Sequence, residues 1–337
     1  MNFTTTLLNW FRENGRALPW RETNDPYAIW LSEIILQQTR IEQGLPYWQR
    51  FMQRWHTIEE LAAASEDEVL REWQGLGYYS RARNLHTAAK QVVEMGGFPR
   101  TLEGIKQLKG VGDYTAAAIG SIAFNLPAAV VDGNVYRVLA RHYGIATPIN
   151  TTEGKKEFTA LAQSLLPKKE ASAFNQAMMD FGAIQCTPLN PNCLSCPLQE
   201  TCIAFRENKV TELPVKQKTL KIKERHLTYI YIRYQGETAI HRRAAGDIWQ
   251  GLYEPWLTDV VPCGAVLQYR NLKHVLTHRI IFADFYLWEP TERPSLPDDY
   301  FWIKETDIDN YAVPRLIERF LESLPLDPLN PLNPSTL

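Results

Sequence analysis

The sequence predicts a two-domain protein, mainly α over residues 1–208 and mixed α/β over 227–327, with a basic linker at 209–226 and a tail at 328–337. Three observations carry this reading. A chain of 337 residues is long for one average domain and suits two. The texture changes after His226, from helical periodicity to alternating, β-branched and aromatic runs. Four of the five cysteines crowd into residues 186–202, at the end of the helical part.

In the helical part, residues 27–43, 81–95, 113–124, 134–142 and 155–166 carry apolar positions at helical spacing, and Leu7, Leu8, Trp10 and Phe11 form one stripe of an earlier helix. Glycine pairs such as Gly75/Gly77, Gly96/Gly97 and Gly110/Gly112 punctuate them. In the second part LTYIYIRY, TAIHRR and IIFADFYLW read as strands and VPRLIERFLESL as a closing helix. The linker is rich in Lys and Arg, and the tail DPLNPLNPSTL has the composition of a disordered segment. The N-terminus lacks the features of a signal peptide, and no apolar run is long enough to cross a membrane. A cytoplasmic protein without a membrane partner is expected. The formal net charge of −2 does not advertise nucleic-acid binding. Residues 1–226 hold 26 Lys+Arg against 23 Asp+Glu and residues 227–337 hold 10 against 15, so any DNA contact rests on local arrangement.

The cysteine spacing is Cys186-x6-Cys193-x2-Cys196-x5-Cys202. Four thiols so close together in a reducing compartment point to a metal centre. Zinc usually takes two CxxC-type pairs, so one CxxC flanked by single cysteines suits a loop wrapped around a cubane cluster. Cys263 stands alone and reads as inert.

Leu108-Lys-Gly110-Val-Gly112 lies between two helical segments. It reads either as a plain helix–helix connection or as a turn that exposes the N-terminus of the next helix to a phosphate. Two carboxylates stand out. Glu33, in IWLSEIILQQT, has Ile29, Trp30, Leu36 and Gln37 on its helical face, so it is either a desolvated acid or an exposed helical Glu. Asp132 reads as a helix N-cap, a position that favours its ionised form. One protonated and one ionised carboxyl group are what glycosidic cleavage needs.

Together, the Gly-Val-Gly turn and the downstream cysteine quartet resemble the helix-hairpin-helix DNA glycosylase superfamily, in the branch that includes endonuclease III and the adenine DNA glycosylases of the MutY family. The resemblance implies a two-lobed helix-hairpin-helix domain (hairpin at about 101–124) with a 4Fe-4S cluster on Cys186, Cys193, Cys196 and Cys202. It also implies a C-terminal α/β Nudix-like (MutT-like) domain. Val131-Asp132-Gly133-Asn134-Val135 matches the element of the catalytic carboxylate, and Ser32-Glu33-Ile34-Ile35-Leu36-Gln37-Gln38-Thr39 the element whose Glu protonates adenine. At the position where bifunctional members carry a Schiff-base lysine this chain has Tyr114, which cannot form an imine. The resemblance therefore implies hydrolysis without lyase activity, with Tyr114 and Asn134 beside the sugar.

The same resemblance implies an adenine pocket of Arg16, Leu18, Trp20, Arg21, Ile41 and Asp180. DNA contacts are implied for Gln38, Leu76, Tyr78, Arg81, Arg83, Gly110 and Gly112, with Leu76 and Tyr78 as wedges and Arg81 and Arg83 on phosphate. Thr277 and His278 stand where many members carry a Phe-Ser-His loop that recognises 8-oxoguanine; here it is Leu-Thr-His. No Nudix box occurs in 227–337, so pyrophosphohydrolase activity is not expected. The expected function is a monomeric adenine glycosylase acting on duplex DNA with A opposite 8-oxoguanine or G. The alternatives are an endonuclease III-like glycosylase/lyase and a non-catalytic damage binder.

Overall fold

The computed structural model describes residues 2–217 and 222–324, which divide into two compact units. The first comprises residues 1–63 and 87–218, the second 64–86 and 219–337. The tail expected at 328–337 lies outside the described residues, as do 218–221 of the expected linker.

Among the described residues the first unit is helical. It contains α1 (Phe3–Asn14), α2 (Pro26–Ile35), α3 (Ile41–Arg54) and α4 (Ile58–Ala63). α5 (Glu66–Glu72) belongs to the second unit, and α6 (Ser80–Glu94) runs from residues of the second into residues of the first. α7 (Leu102–Lys106), α8 (Asp113–Phe124), α9 (Gly133–Tyr143), α10 (Thr152–Leu165), α11 (Ala171–Asp180) and α12 (Ile203–Arg206) complete the first unit. The helix starts follow local chemistry. Asp25 caps α2 ahead of Pro26, and Thr101, Asp132 and Thr151 accept backbone N–H groups at the heads of α7, α9 and α10. The single helix expected over 27–43 is two, because the chain turns at 36–40, where Gln38 takes a φ of 57°.

α2 and α11 both pack on α8, α1 packs on α11, and α9 packs on α11 and α12. Leu7, Leu139, Phe158, Phe174 and Phe181 fill the resulting core. The expected linker is not a free tether at its start. Leu213 is buried, Ile149 donates to the Val215 carbonyl at 3.0 Å, and Asn150 pairs with the Gln217 backbone in both directions at 2.9 Å.

The second unit is a six-stranded sheet of β1 (Lys223–Ile232), β2 (Glu237–Arg242), β3 (Tyr253–Leu257), β4 (Val266–Val275), β5 (Arg279–Trp288) and β6 (Tyr300–Lys304). The order is β4-β5-β1-β3-β2-β6, with β1 and β5 parallel in register from Lys223↔Arg279 to Ile232↔Trp288. Alternation along β1 sends Leu227, Tyr229 and Tyr231 to one face and Ile230 and Ile232 to the other. The first face is covered by α13 (Arg315–Leu321), whose Phe320 stacks on Phe285 at 4.4 Å between ring centroids.

Residues 64–86 are interleaved with this unit although they precede it by more than a hundred positions in sequence. Ser65 and Glu68 close a capping box at the head of α5. Asp67 accepts from the Tyr253 hydroxyl at 3.1 Å, Glu66 and Asp67 pair with Arg242, and Gln74 donates to Glu318 at 3.1 Å. Truncating Phe320→Ala removes a fully buried ring. It should lower the unfolding free energy of the second unit by about 3–5 kcal/mol, read as lost amide protection along β1 and β5.

Candidate active site

α2 is apolar almost all round, and every residue after Pro26 is buried. Glu33 sits in this run with 9% of its surface exposed. Its Oε2 accepts from the Tyr114 hydroxyl at 3.1 Å, brought in by α8. Burial raises the Glu33 carboxyl to about 7, helped by the Asp132 charge. The Tyr114 bond and the Arg21 charge oppose it and do not cancel it. Of the two readings open in the sequence, the desolvated acid is the one realised. The Tyr114 hydroxyl also lies 3.7 Å from the Met179 sulfur on α11 and is pushed well above its ordinary range by burial and by Glu33.

Asp132 is the N-cap of α9. Its Oδ1 accepts from the Val135 amide and its Oδ2 from the Asn134 side chain, both at 2.8 Å. These donors and Arg137 favour the ionised form, but burial outweighs them and the carboxyl lies above its ordinary value, contrary to the expectation from the cap alone. Asn134 is held in turn, because Arg137 donates to its Oδ1 at 2.8 Å, to the Gly182 carbonyl, and through Nε to the Cys186 carbonyl at 2.7 Å. Gly182 lies in a π-helical turn, Phe181–Gln185, that extends α11. A Cβ on Gly182 would stand 2.5 Å from the Asn134 Cβ and 2.9 Å from its Cα. Nothing local in the sequence singles out Gly182 or Arg137. Their roles come from contacts across about fifty positions.

The residues expected in a base pocket separate into a charged and an apolar group. Arg16 and Arg21 both clasp Asp180, whose side chain is fully buried. Burial opposes its charge, but the arginine donors outweigh burial and keep the carboxyl below its ordinary value. Leu18 and Trp20 are buried, with Trp20 edge-on to Trp48 at 5.5 Å, and Ile41 opens α3. Gln38 is exposed on the turn after α2, while Gln37 points inward to Thr115.

The Gly-Val-Gly turn lies between α7 and α8. Gly110 takes a φ of 79°, which a side chain would oppose. Gly112 is different: it is the extended N-cap of α8, and a Cβ there would meet nothing within 4 Å. Glycine is required for the turn at 110, and at 112 it leaves the head of α8 bare.

Among the described residues no three Cys, His, Asp or Glu side chains converge as ligands of one metal ion. The four thiols of 186–202 nevertheless lie close enough to influence one another. Burial pushes Cys193, Cys196 and Cys202 up, Cys196 to about 11, and neighbouring cysteines add to it. Donors point at the sulfurs: the Leu198 amide at Cys196, the Phe205 and Ala204 amides at Cys202, and the Arg141 guanidinium at Cys186, 3.5 Å away. Sulfur-only donors ringed by N–H groups fit a multi-iron cluster better than a lone hard cation.

Residues 31–168 match the HhH-GPD superfamily of base excision DNA repair proteins, and residues 228–323 match a NUDIX domain. An adenine DNA glycosylase of Buchnera aphidicola is 36% identical over 254 residues, 74% of this chain and 73% of that protein. The chain belongs to the adenine DNA glycosylase family. The adenine DNA glycosylase of Mus musculus is 46% identical over 215 residues, 60% of this chain and 42% of its own. A solved thermostable thymine-DNA glycosylase superposes with a TM-score of 0.57 at 33% identity, covering 61% of this chain and 95% of that one. The HhH-GPD and NUDIX matches agree with the helical domain and the C-terminal α/β domain expected from sequence.

In the second unit of this family member the Gly75–Tyr79 turn divides the residues expected to touch DNA. Tyr78, at φ 49°, is half exposed, and its hydroxyl bonds to Thr277. Thr277 and His278 are exposed on the tight β4–β5 turn. Leu76 is buried and does not reach the surface as a wedge. Arg81 is buried beneath the turn, donates to the Leu76 and Gly77 carbonyls, and lies over the Trp73 ring; burial lowers it to about 10. Arg83 donates to the Gln250 carbonyl. Arg81 braces the turn rather than projecting toward a phosphate, while half-buried Arg83 is tied to the loop that carries Gln250. Returning to the first unit, Gly182→Ala should push Asn134 off Asp132. The single-turnover excision rate should fall by about tenfold or more, with circular dichroism unchanged.

Proposed function

We propose that the chain hydrolyses the N-glycosidic bond of adenine opposite 8-oxoguanine or guanine in duplex DNA, as a monofunctional enzyme. The observation that carries this reading is Glu33, a carboxyl buried on α2, raised to about 7 and paired with a neutral hydroxyl instead of a cation. Such a group is protonated in about half the molecules at neutral pH and can hand that proton to a leaving base. Asp132, ringed by the Val135 amide and Asn134, is the second carboxyl group. When ionised it stabilises the cationic sugar left as the bond breaks. Tyr114 holds Glu33 in place and, having no amine, supports hydrolysis without a Schiff base. The bare head of α8 at Gly110–Gly112 suits a DNA phosphate. Arg16, Leu18, Trp20, Arg21, Ile41 and Asp180 build the walls of the base site, and Gln38 on its exposed turn enters the stack.

The choice of adenine is supported by the relatives' names. The catalytic frame alone does not select the base, since a glycosylase named for thymine shares the fold. Tyr78 and Thr277, joined through their hydroxyls, suit recognition of the opposite base, with His278 beside them. Cys186, Cys193, Cys196 and Cys202 would hold a 4Fe-4S cluster, which when bound ties the 186–202 loop together. The protein acts as a monomer in the cytoplasm in this reading.

Single-turnover assays on duplexes bearing A opposite 8-oxoguanine, A opposite G, T opposite G and thymine glycol test the assignment. Cleavage of the first two is expected, and activity confined to the last two would refute it. Borohydride should trap no lysine adduct. Glu33→Gln should abolish excision while leaving duplex binding intact. Because the active form of Glu33 is protonated and its pKa is raised, activity should be lost as pH rises through about 7, tenfold per pH unit well above that value, and it should also fall in acid as Asp132 takes up a proton.

A further inference from the structure

In the second unit β1 and β5 start side by side on basic residues. Lys223 stands opposite Arg279, and Arg225 follows two positions later. Alternation puts all three on the sheet face whose later positions, Leu227, Tyr229, Ile281 and Phe285, are core. Arg225 and Arg279 both turn to Asp247, in the loop after β2. Its Oδ2 accepts from Arg225 Nη1 and, at 2.8 Å, from Arg243 Nη2. Its Oδ1 accepts from the Ile248 amide at 2.7 Å and from Arg279 Nη1 at 3.3 Å. Burial opposes the Asp247 charge, but the Arg225 bond and the Ile248 amide outweigh it and keep the carboxyl below its ordinary value.

Arg243 has a carboxylate of its own. It is buried and donates to buried Glu254, which also accepts from the Tyr229 hydroxyl at 2.8 Å. Asp247 is thus the carboxylate that Arg225 and Arg279 share among the described residues, and one positive charge is left over. Lys223 at the rim adds a second. Arg225 and Arg279 each spend one Nη on Asp247, and their side chains are 33% and 39% exposed, so N–H donors of both forks remain for an outside acceptor. The cluster also adjoins the tip that carries Thr277 and His278. The Arg279 carbonyl closes that turn by accepting from the Leu276 amide at 2.8 Å, and the Lys223 amide donates to the His278 carbonyl at 3.1 Å. We propose that Arg225 and Arg279, with Lys223 at the rim, seat a backbone phosphate of the DNA strand that carries the opposite base. Guanidinium forks match phosphate oxygens in shape and charge. Asp247 holds the forks in place and tempers their grip on an anion. Such a bond reads no sequence. It sets the register at which Thr277 and His278 meet the opposite base. The role rests on the proposed reading of a glycosylase acting on duplex DNA.

The test is equilibrium binding of the full chain, over a range of salt, to a duplex with cleavage-resistant 2′-fluoro-deoxyadenosine opposite 8-oxoguanine. The Arg225→Met/Arg279→Met double variant should bind about tenfold more weakly at low salt, and its slope of log affinity against log salt should be shallower by about one. Arg293→Met removes another exposed cation of the same unit, one paired with Glu237 at 3.0 Å, and should change neither. Asp247→Asn removes the competing charge and should tighten binding at low salt by about threefold or more. Methylphosphonates placed singly around 8-oxoguanine should reveal one linkage whose neutralisation weakens wild type and not the double variant. An unchanged salt slope in the double variant, an equal loss in Arg293→Met, or the lack of such a linkage overturns the proposal. Thermal stabilisation by dGMP that the double variant abolishes, with duplex affinity untouched, would assign the seat to a free nucleotide and overturn it as well. Should the double variant not fold, binding that Asp247→Asn fails to tighten overturns it instead. Failure of the glycosylase reading looks different, because wild type would then release no adenine from a cleavable duplex, whatever its salt slope.

Discussion

Carboxyl groups are expensive to bury, and this site buries three within one helical core. What each is given as a partner decides what it can do. Asp180 meets two guanidinium groups and keeps its charge. Glu33 meets a phenol, and burial raises its carboxyl to about 7. Asp132 meets an amide and a carboxamide, neutral donors that steady an anion without fully compensating its desolvation. In the proposed reading, acid, charged brace and cation-stabilising carboxylate thus come from one side-chain chemistry, separated by partner and not by exposure.

The arrangement depends on one short stretch of chain. From Met179 to Cys186 successive residues meet Tyr114, the two arginines, Asn134 and Arg137 in turn. The π-helical turn at Phe181–Gln185 makes this possible. Widening the helix by one residue re-aims the side chains that follow, and it lets Gly182 press against the head of α9. Cys186 ends that turn, so the cysteine loop starts where the catalytic elements are fixed. Arg137 and Arg141, both buried on α9, hold the loop's first residues through the carbonyls of Cys186, Thr187 and Pro188. An ordered cysteine loop is thereby part of what keeps α9, and Asp132 at its head, in place.

What was legible in the sequence was local. Glu33 declared itself by apolar neighbours at helical spacing, and Asp132 by a capping pattern. Tyr114 stood out only through the family resemblance, and the cysteines by their spacing. What was illegible depended on partners far along the chain. Arg81 and Arg83 look like phosphate contacts in an Arg-rich turn, yet Arg81 is folded beneath that turn and Arg83 is bound to the carbonyl of Gln250. Leu76 looks like a wedge and is core. β3, β4 and β6 were missed because YEPWL is short and contains proline, the exposed β4 lacks a buried face, and YFWIK is short. Residues 64–86 carry no mark of their membership in the second unit. The ion pairs of Arg242 with Glu66 and Asp67, and the Tyr253–Asp67 bond, follow only once the sheet has formed.

That membership bears on how an opposite base would be read. Because the Tyr78 turn packs within the second unit, Tyr78 and Thr277 face one another as parts of one body, and their hydroxyls bond directly. Two hydroxyl groups bring two protons, and one lies between them. The pair can therefore offer one O–H outward while keeping acceptor capacity. 8-Oxoguanine differs from guanine in carrying an N7–H donor and an O8 acceptor on the same edge. A pair that can both donate and accept matches that edge, whereas guanine offers it only an acceptor at N7. Threonine in place of serine preserves the hydroxyl and adds a methyl group, which restricts χ1 and holds the oxygen toward Tyr78. The half-exposed ring of Tyr78 lies beside this turn, where Leu276 offers no aromatic surface. In the proposed reading, discrimination of the lesion would rest on a phenol and a threonine nearly two hundred residues apart in sequence.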